Sequence, residues 1–193
     1  KNTALTILNC SNTNLTSLDV SKNTALTILN CSNTNLTSLD VSKNTALTEL
    51  SCGNTNLTSL DVSKNTALTS LSCNNNNNLT SLDVSKNTAL TELWCTNNNN
   101  LTSLDVSGCT ALTELLCYYN NLTSLDVSGC TALTELLCDD NDLSASAINK
   151  IFNDLPQGKY DEYGKPSKIY IYCNPGSKTC DTSIAENKGW ECY

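Results

Sequence analysis

The sequence has no histidine and no arginine, which leaves lysine as its only basic residue. Without histidine, the nucleophile and base of a hydrolytic site would have to come from serine, cysteine, lysine or carboxylates. The serines and core cysteines recur at fixed repeat positions, and no singular group stands apart from them. No glycine-rich phosphate-binding loop is present. The residues therefore predict a protein with no catalytic site and no cofactor.

Positive charge is scarce in the first part of the chain. Residues 1–143 carry 13 acidic side chains against 5 lysines, the remaining 50 residues carry 6 of each sign, and the net charge is −8. A surface of this sign repels nucleic-acid phosphates and anionic lipid headgroups. Long apolar runs are also absent, since none approaches the roughly 18 residues of a membrane span. We therefore expect neither nucleic-acid binding nor membrane insertion.

What the sequence does contain is one unit written repeatedly. Residues 112–132 read LTELLCYYNNLTSLDVSGCTA, and edited copies fill residues 1–143 at spacings of 21 or 22 residues. Self-similarity of this kind predicts a solenoid, in which each copy forms one coil. The longer spacings come from an extra residue in the asparagine runs 74–78 and 97–100, which predicts a longer turn there. The copies begin at Leu5, Leu26, Leu47, Leu68, Leu90, Leu112 and Leu133.

Each copy predicts a short strand around its xLxCx segment. Because side chains alternate along a strand, Leu115 and Cys117 should point inward, while Glu114, Leu116 and Tyr118 point outward. The LTSLDVS segment that follows is short and rich in threonine and valine, which favours an extended segment over a helix. We therefore expect a second extended segment on the opposite, convex side of the coil.

A tight bend should follow each strand of the sheet. In the later copies an asparagine closes this bend, and its amide should turn inward to satisfy backbone groups. These residues are Asn76, Asn98, Asn120 and Asn141. The first three copies have a threonine at the same place with asparagine on both sides, so the register of those turns stays open. The threonines are Thr13, Thr34 and Thr55.

The pattern LxxLxCxxNxL followed by LxxLDVxxN resembles the leucine-rich repeat, in its short bacterial form, over roughly three quarters of the chain. The resemblance implies an α/β solenoid that is mostly β. It would be right-handed, with a parallel concave sheet over residues 1–143 and an α/β capping segment over residues 144–193. The resemblance also implies a secreted or cell-surface binding module that recognises a protein or glycan through its concave face.

After residue 143 the rhythm stops, and the sequence predicts the first part of a cap. Ser144 can cap a helix that ends at Pro156 and whose apolar side chains recur at helical spacing. Those side chains are Ile148, Ile151, Phe152 and Leu155. Their physical role is to cover the last apolar layer of the repeats.

The rest of the cap should be a strand, a short helix and a last extended piece. The strand would carry Ile169, Ile171 and Cys173 on one face. The helix would run over residues 181–188 with Gly189 as its C-cap, and residues 190–193 would be extended. The segment IYIYxNPG…C…IAxxKGW resembles the caps of secreted bacterial leucine-rich-repeat proteins.

Most of the twelve cysteines occupy one core position of the repeat, where a thiol acts as a small apolar group. Stacked strands hold such residues about 4.8 Å apart, too far for the roughly 3.8 Å between Cβ atoms of a disulfide, so we expect free thiols. They are Cys10, Cys31, Cys52, Cys73, Cys95, Cys117 and Cys138. With no CxxC pair and no histidine, a metal site is not expected.

Five cysteines lie outside that position. Cys109 and Cys130 share one place in two neighbouring SGC turns, where they form either a disulfide or two buried thiols that replace an inward asparagine. Cys173, Cys180 and Cys192 lie in the cap and allow at most one bridge, Cys173–Cys192 or Cys173–Cys180.

The aspartate of each LDV motif forms a ladder of like charges. A row of calcium sites is one interpretation, because hard cations prefer carboxylate oxygens. The other, which we favour, is that each carboxylate accepts hydrogen bonds within its own turn, because each turn has only one. The residues are Asp19, Asp40, Asp61, Asp83, Asp105 and Asp126.

The outward positions of the concave strands vary from copy to copy, whereas LTSLDVS is invariant in the six full copies. Variation on a constant frame is typical of a binding surface, although drift after duplication produces some of it as well. Between residues 90 and 143 there is no lysine, and an apolar row with acidic borders is expected there. The predicted partner-binding residues are Glu92, Trp94, Glu114, Leu116, Tyr118, Tyr119, Glu135, Leu137, Asp139 and Asp140. The partner should carry an apolar anchor surrounded by lysine or arginine.

A second hypothesis is a structural or self-assembling scaffold with no specific ligand. Residues 1–21 and 22–42 are identical, which indicates duplication or deliberate construction. The chain opens within a copy, so the edge of its first strand is expected to be open and able to pair with another molecule.

Overall fold

The computed structural model describes residues 2–160 and 163–193. In chain order its strands are β1 (Ile7–Asn9), β2 (Ile28–Asn30), β3 (Glu49–Ser51), β4 (Ser70–Ser72), β5 (Ser81–Asp83), β6 (Glu92–Trp94), β7 (Ser103–Asp105), β8 (Glu114–Leu116), β9 (Glu135–Leu137), β10 (Ser167–Tyr170) and β11 (Trp190–Cys192). Its helices are α1 (Ala145–Asp154) and α2 (Ser183–Glu186).

Nine of these strands form one sheet in which every described pairing is parallel, in the order β1-β2-β3-β4-β6-β8-β9-β10-β11. The LTSLDVS segments contain no helix, and two of them form strands, β5 and β7, which pair as a small parallel sheet. The repeat period therefore places the same repeat position of successive copies side by side. The mostly β, parallel-sheet solenoid expected from the sequence is confirmed.

The core lies between the concave sheet and the convex segments. Leucines from both halves of each copy, the ladder cysteine and the LDV valine fill it, and from the second copy onward they are buried. The first copy differs, since β1 is an edge strand and its residues Leu5, Leu8 and Leu18 are only half-buried.

Helix α1 begins as predicted. Ser144 is its N-cap, and the hydroxyl oxygen accepts a hydrogen bond from the backbone N–H of Ala147 at 3.2 Å. Its apolar face is buried against the last coil. Helix α2 is shorter than the predicted 181–188, and Gly189 follows at φ +84°, a left-handed conformation that glycine adopts easily. The predicted boundary at residue 143 does not interrupt the sheet, because β10 pairs directly with β9.

The cap contains an eighth coil that the sequence analysis did not recognise. Ile169 lies in register with Leu136, and Asn174 closes the next bend by donating to the carbonyls of Cys138 and Ile171, at 2.9 and 2.8 Å. The segment from Ile169 to Asn174 has the same spacing as the Leu, Cys and Asn of a repeat, and that spacing was the available signal. The prediction that Cys173 shares an inward face with Ile169 and Ile171 is therefore wrong. Cys173 is exposed at φ +57°, in the bend rather than the strand.

The bends of the first copies keep the register that the sequence left open. Residues with positive φ recur at the same place in every coil, before either threonine or asparagine. The Thr34 hydroxyl donates to the carbonyl of Cys31 in its own coil, at 2.8 Å. The Asn120 amide donates to the carbonyls of both Cys117 and Cys95, at 2.7 and 3.0 Å, and thereby links two coils.

The SGC turns show how Cys109 and Cys130 fit. Both are buried free thiols, and their Sγ atoms donate to the carbonyls of Val84 and Val106 at 3.2 and 3.6 Å. They take the place of asparagines such as Asn87, whose amide bonds the Val62 carbonyl while its Oδ1 is buried without a partner. Of the two alternatives that the sequence left open, a Cys109–Cys130 bridge or two buried thiols in place of asparagine, the structure shows the thiols.

A glycine accompanies each of these cysteines. A Cβ on Gly108 would lie 1.9 Å from the carbonyl oxygen of Ser85, so this turn packs closer to its neighbour than a side chain would allow. Gly129 stands in the same relation to Ser107. The lysine and asparagine of the earlier SKN turns are thus replaced as a pair.

Candidate functional site

The outward residues of the later strands line up as predicted. Register pairs Glu92 with Glu114 and Glu114 with Glu135, and it pairs Trp94 with Leu116 and Leu116 with Leu137. Neighbouring strands lie about 4.8 Å apart, so the two sets form parallel rows across the concave face. We call Glu92, Glu114 and Glu135 the acidic row.

The apolar row continues into the cap, which the sequence analysis missed. Tyr170 is in register with Leu137, and the ring of Tyr193 stacks on that of Tyr170 with centroids 4.7 Å apart and planes at 14°. We call Trp94, Leu116, Leu137, Tyr170 and Tyr193 the apolar stripe. The repeat spacing of Ile169, Ile171 and Asn174 was the signal that would have located Tyr170.

Trp94 is held in place by the acidic row. Its indole Nε1–H donates to Oε1 of Glu114 on the next strand at 2.9 Å, and the residue remains 38% exposed. Glu114 is half-buried, and its burial, followed by the charges of Glu135 and Glu92, raises the pKa of its carboxyl. The indole of this exposed stripe residue is therefore fixed by a hydrogen bond at its N–H edge.

The cap also alters the charge that the sequence predicted for this region. Lys168 is in register with Glu135, and Glu191 of the last strand is in register with Lys168. The acidic row thus ends at a lysine on β10, and Glu191 on β11 is one further carboxylate beyond that lysine.

The other predicted border lies in the bends that follow the strands. The Tyr118 and Tyr119 rings meet edge to face with centroids 5.6 Å apart, and Tyr119 is 49% exposed. Asp140 is half-buried. Asp139 is not an exposed border residue, since it is buried, and this burial raises the pKa of its carboxyl although the Tyr172 hydroxyl donates to it. Tyr172 is a further aromatic residue of this border that sequence reasoning missed.

The convex aspartates hold their own turns. Each accepts a hydrogen bond from the backbone N–H of the serine two residues later, as Asp61 does from Ser63 at 2.9 Å. Hydrogen bonds from the hydroxyl and the backbone N–H of that serine lower the pKa of Asp40, Asp61, Asp83 and Asp126. Across residues 2–160 and 163–193, no three acidic or cysteine side chains converge in a way that could hold a metal ion.

The described cysteines are free thiols. Burial raises the pKa of the ladder thiols, to about 12 for Cys31 and Cys73, so they stay protonated and unreactive near neutral pH. In the cap, Cys173 and Cys192 line one hollow of about 450 Å³ without forming the bridge that the sequence allowed. The alternative bridge, Cys173–Cys180, is absent as well.

None of the helices in the described residues has the length and apolar character needed to cross a bilayer.

Comparison with protein families matches the leucine-rich repeat over residues 11–27, 32–49, 53–74, 75–91 and 97–113. Comparison with curated protein sequences finds no match. Among solved structures, the functional domain of InlJ from Listeria monocytogenes, which includes a cysteine ladder, is 40% identical with a TM-score of 0.77. That match covers 95% of this chain and 42% of the InlJ chain.

Two internalins from the same species resemble the chain in fold. InlF is 20% identical with a TM-score of 0.69, over 89% of this chain and 49% of its own. Internalin C2 is 19% identical with a TM-score of 0.68, over 99% of this chain and 82% of its own. This chain thus spans less than half of the InlJ and InlF chains. Such solenoids are generally non-catalytic scaffolds with extended concave surfaces for binding. From its repeat, its parallel coils and its column of buried thiols, the protein is a leucine-rich-repeat solenoid with a cysteine ladder.

Proposed function

We propose that this chain is a non-catalytic binding module that holds a protein or glycan partner against the apolar stripe of its concave face. Leucine-rich-repeat solenoids commonly bind proteins. The cap's resemblance to those of secreted bacterial leucine-rich-repeat proteins supports a place outside the cell or on its surface.

One observation carries the proposal. The apolar stripe runs without a break across four neighbouring strands, β6, β8, β9 and β10, and continues to Tyr193, which follows β11 and stacks on Tyr170. The outward residues of the concave strands vary from copy to copy, whereas the LTSLDVS segment is the same in all six full copies. Trp94 and Tyr193 remain substantially exposed, at 38% and 48%. Large aromatic side chains are enriched in binding surfaces because they bury much apolar area on association.

The acidic row favours a protein over a neutral glycan. Three carboxylates beside the stripe attract lysine or arginine, and screening by salt should weaken that attraction. The partner that fits best is a protein whose apolar anchor is ringed by basic side chains.

The test compares two double variants of the same kind. Purified cell-surface proteins and an array of defined glycans are screened for binding to the wild-type chain, and each hit is measured again against both variants. We expect Trp94→Ser with Leu116→Ser to lower affinity at least about a hundredfold, since hot-spot residues each contribute 2 kcal/mol or more. Ile7→Ser with Ile28→Ser, on outer positions of the first two strands, should leave affinity unchanged.

Both variants should keep the melting temperature of the wild type within a few degrees, because the substituted side chains face solvent. Equal affinity of the stripe variant and the wild type for every hit would place the site elsewhere. Binding that is insensitive to salt would contradict the role of the acidic row.

A scaffold role remains the second candidate, and the half-buried leucines beside the edge strand β1 favour it. An exposed strand edge over apolar residues can pair with another copy. Light scattering after size exclusion decides between them. Mass that grows with concentration supports assembly, and a constant monomer mass supports the binding module.

A further inference from the structure

Trp94 and Trp190 are the two tryptophans of the chain, and they are anchored differently. The indole N–H of Trp190, a buried residue, donates to the backbone carbonyl of Pro156 at 2.9 Å. The indole N–H of Trp94 donates to a carboxylate, Oε1 of Glu114, also at 2.9 Å. A backbone carbonyl keeps its acceptor at every pH, whereas a carboxylate loses its charge on protonation.

The contact follows from the register of the sheet. Trp94 is the last residue of β6, and Glu114 is the first residue of β8, so the two meet diagonally across neighbouring strands, where long side chains reach each other. The same diagonal in the next pair of strands places Leu116 beside Glu135, and the leucine side chain has no hydrogen-bond donor. The tryptophan anchor is therefore formed at one point of the stripe.

Glu114 lies in a setting that favours its neutral form. Glu92 on β6 and Glu135 on β9 flank it in register, and the next charge in the row is Lys168 on β10, beyond Glu135. Glu92 accepts a weak hydrogen bond from the Ser70 hydroxyl at 3.5 Å and keeps no described ion pair with a lysine. Burial raises the pKa of the Glu114 carboxyl, the hydrogen bond from Trp94 lowers it, and the charges of Glu135 and Glu92 raise it again, so that the net direction is upward.

We propose that Glu114 is a positioning residue whose carboxylate fixes the indole of Trp94 within the apolar stripe, and that protonation of Glu114 releases it. Above its raised pKa, Glu114 is ionised and makes a charge-assisted bond, which is stronger than a neutral one. As pH falls through that pKa, the charge is lost and Trp94 gains rotamer freedom. Ordering a free side chain on binding costs affinity, so binding at the stripe becomes weaker in mild acid. This last step rests on the proposed function.

Nuclear magnetic resonance of the two indole N–H groups tests the anchor on the intact chain without any partner. The chain is followed from pH 7.5 down to pH 4 by its two indole signals and their hydrogen exchange with water. We expect the Trp94 signal to shift with a midpoint above about 4.3, the ordinary glutamate pKa, and its exchange to accelerate about fivefold to tenfold beyond the intrinsic pH effect. The Trp190 signal should stay in place and serves as the internal reference.

Three variants distinguish positioning from a general structural effect. In Glu114→Gln the neutral amide mimics the protonated carboxyl, so the Trp94 signal should take the acid position at every pH and lose its titration. In Glu114→Ala the signal should take the acid position at every pH. In Glu92→Gln the anchor should persist with a lower titration midpoint, because one like charge is removed.

A Trp94 signal that does not titrate in the wild-type chain, or that is unchanged in Glu114→Ala, overturns the inference. Either result leaves the proposed binding surface intact, because the stripe variants test that surface through affinity. Conversely, a partner that ignores the stripe would leave the indole titration unaffected. The two proposals therefore fail separately.

Discussion

Two sets of repeat copies have the same coil structure but differ on two surfaces. One set begins at Leu5, Leu26 and Leu47, and the other begins at Leu90, Leu112 and Leu133. We call them the N-terminal and the C-terminal copies. At the last residue of each strand, the N-terminal copies have Asn9, Asn30 and Ser51 where the C-terminal copies have the large apolar residues of the stripe. In the bend, the hydroxyls of Thr13 and Thr34 bond a carbonyl of their own coil, and only Thr55 of this set also reaches the next coil, through Asn76. The Asn120 and Asn141 amides each bond carbonyls of two coils.

The outward residues of the concave strands differ between the two sets although the buried core residues do not. The inward positions of the strands are occupied alike in both sets, since they form one continuous core. The outward residue at the end of the strand changes from asparagine or serine to tryptophan or leucine. The C-terminal copies combine the exposed stripe with the more strongly connected bends. A binding surface needs such support, because loosely held side chains lose affinity when they are ordered.

The largest expected difference between the two sets is in the bend. Asn120→Ala removes bonds to the Cys95 and Cys117 carbonyls and the acceptor of the Asn98 N–H, all buried, and should lower the free energy of unfolding by about 3 kcal/mol. Thr34→Ala removes one hydroxyl bond within its own coil and should lower it by about 1 kcal/mol. Urea unfolding followed by circular dichroism measures both. Equal losses would show that the bends do not differ in their contribution to stability.

Thiol accessibility sharpens the comparison along the ladder. Cys10 is half-buried in the edge coil, whereas Cys95 is fully buried between two neighbours, so local opening should expose Cys10 far more often. Pulse alkylation with mass spectrometry should label exposed Cys173 first and Cys10 at least about tenfold faster than Cys95.

The same reagent counts free thiols once the chain is denatured without reductant. Twelve labelled cysteines are expected from the structure, in which every described cysteine is free. Ten labelled residues, with Cys109 and Cys130 or Cys173 and Cys192 protected, would restore a bridge that the sequence allowed. Equal labelling of Cys10 and Cys95 would show that the first coil opens no more readily than the others.

The smallest expected effect is the pH dependence of stability, and its sign differs between the two surfaces. Turn hydrogen bonds lower the pKa of convex aspartates such as Asp61, so their stabilisation is present above the unfolded value of about 4 and is lost below it. Burial raises the pKa of Asp139 and Glu114, so these two groups destabilise the fold at neutral pH, and protonation relieves that cost. The free energy of unfolding should therefore rise slightly from pH 7 toward pH 5 and fall below about pH 4.

Urea unfolding at a series of pH values measures this curve. In Asp139→Asn with Glu114→Gln the rise between pH 7 and pH 5 should disappear, while the fall below about pH 4 should remain. A stability that declines steadily from pH 7 in the wild-type chain would contradict the assignment of raised pKa values to the concave side.

Much of the fold could be predicted because the repeat period allows few ways of stacking the copies. A unit that recurs at 21 or 22 residues must stack its copies, and alternation along each strand then decides which side chains point inward. This alone predicts that Leu115 and Cys117 point inward and that Asn120 closes the bend. It also predicts the rows that contain Glu114 and Leu116. The cap helix was equally readable, because Ser144 and the apolar spacing after it are local signals.

The rest required tertiary structure, because it depends on which strand lies beside which. The eighth coil lies beyond the recognisable repeat sequence, because isoleucine replaces both the leucine and the cysteine of the repeat there. Only the pairing of β10 with β9 shows that Tyr170 belongs to the apolar stripe. Lys168 reaches the acidic row by the same pairing. Asp139 is buried and Trp94 bonds Glu114 because side chains from neighbouring coils meet in space. The sequence by itself determined the frame, because the frame is periodic and local, while contacts across coils and with the cap decided the shape, charge and anchoring of the candidate surface.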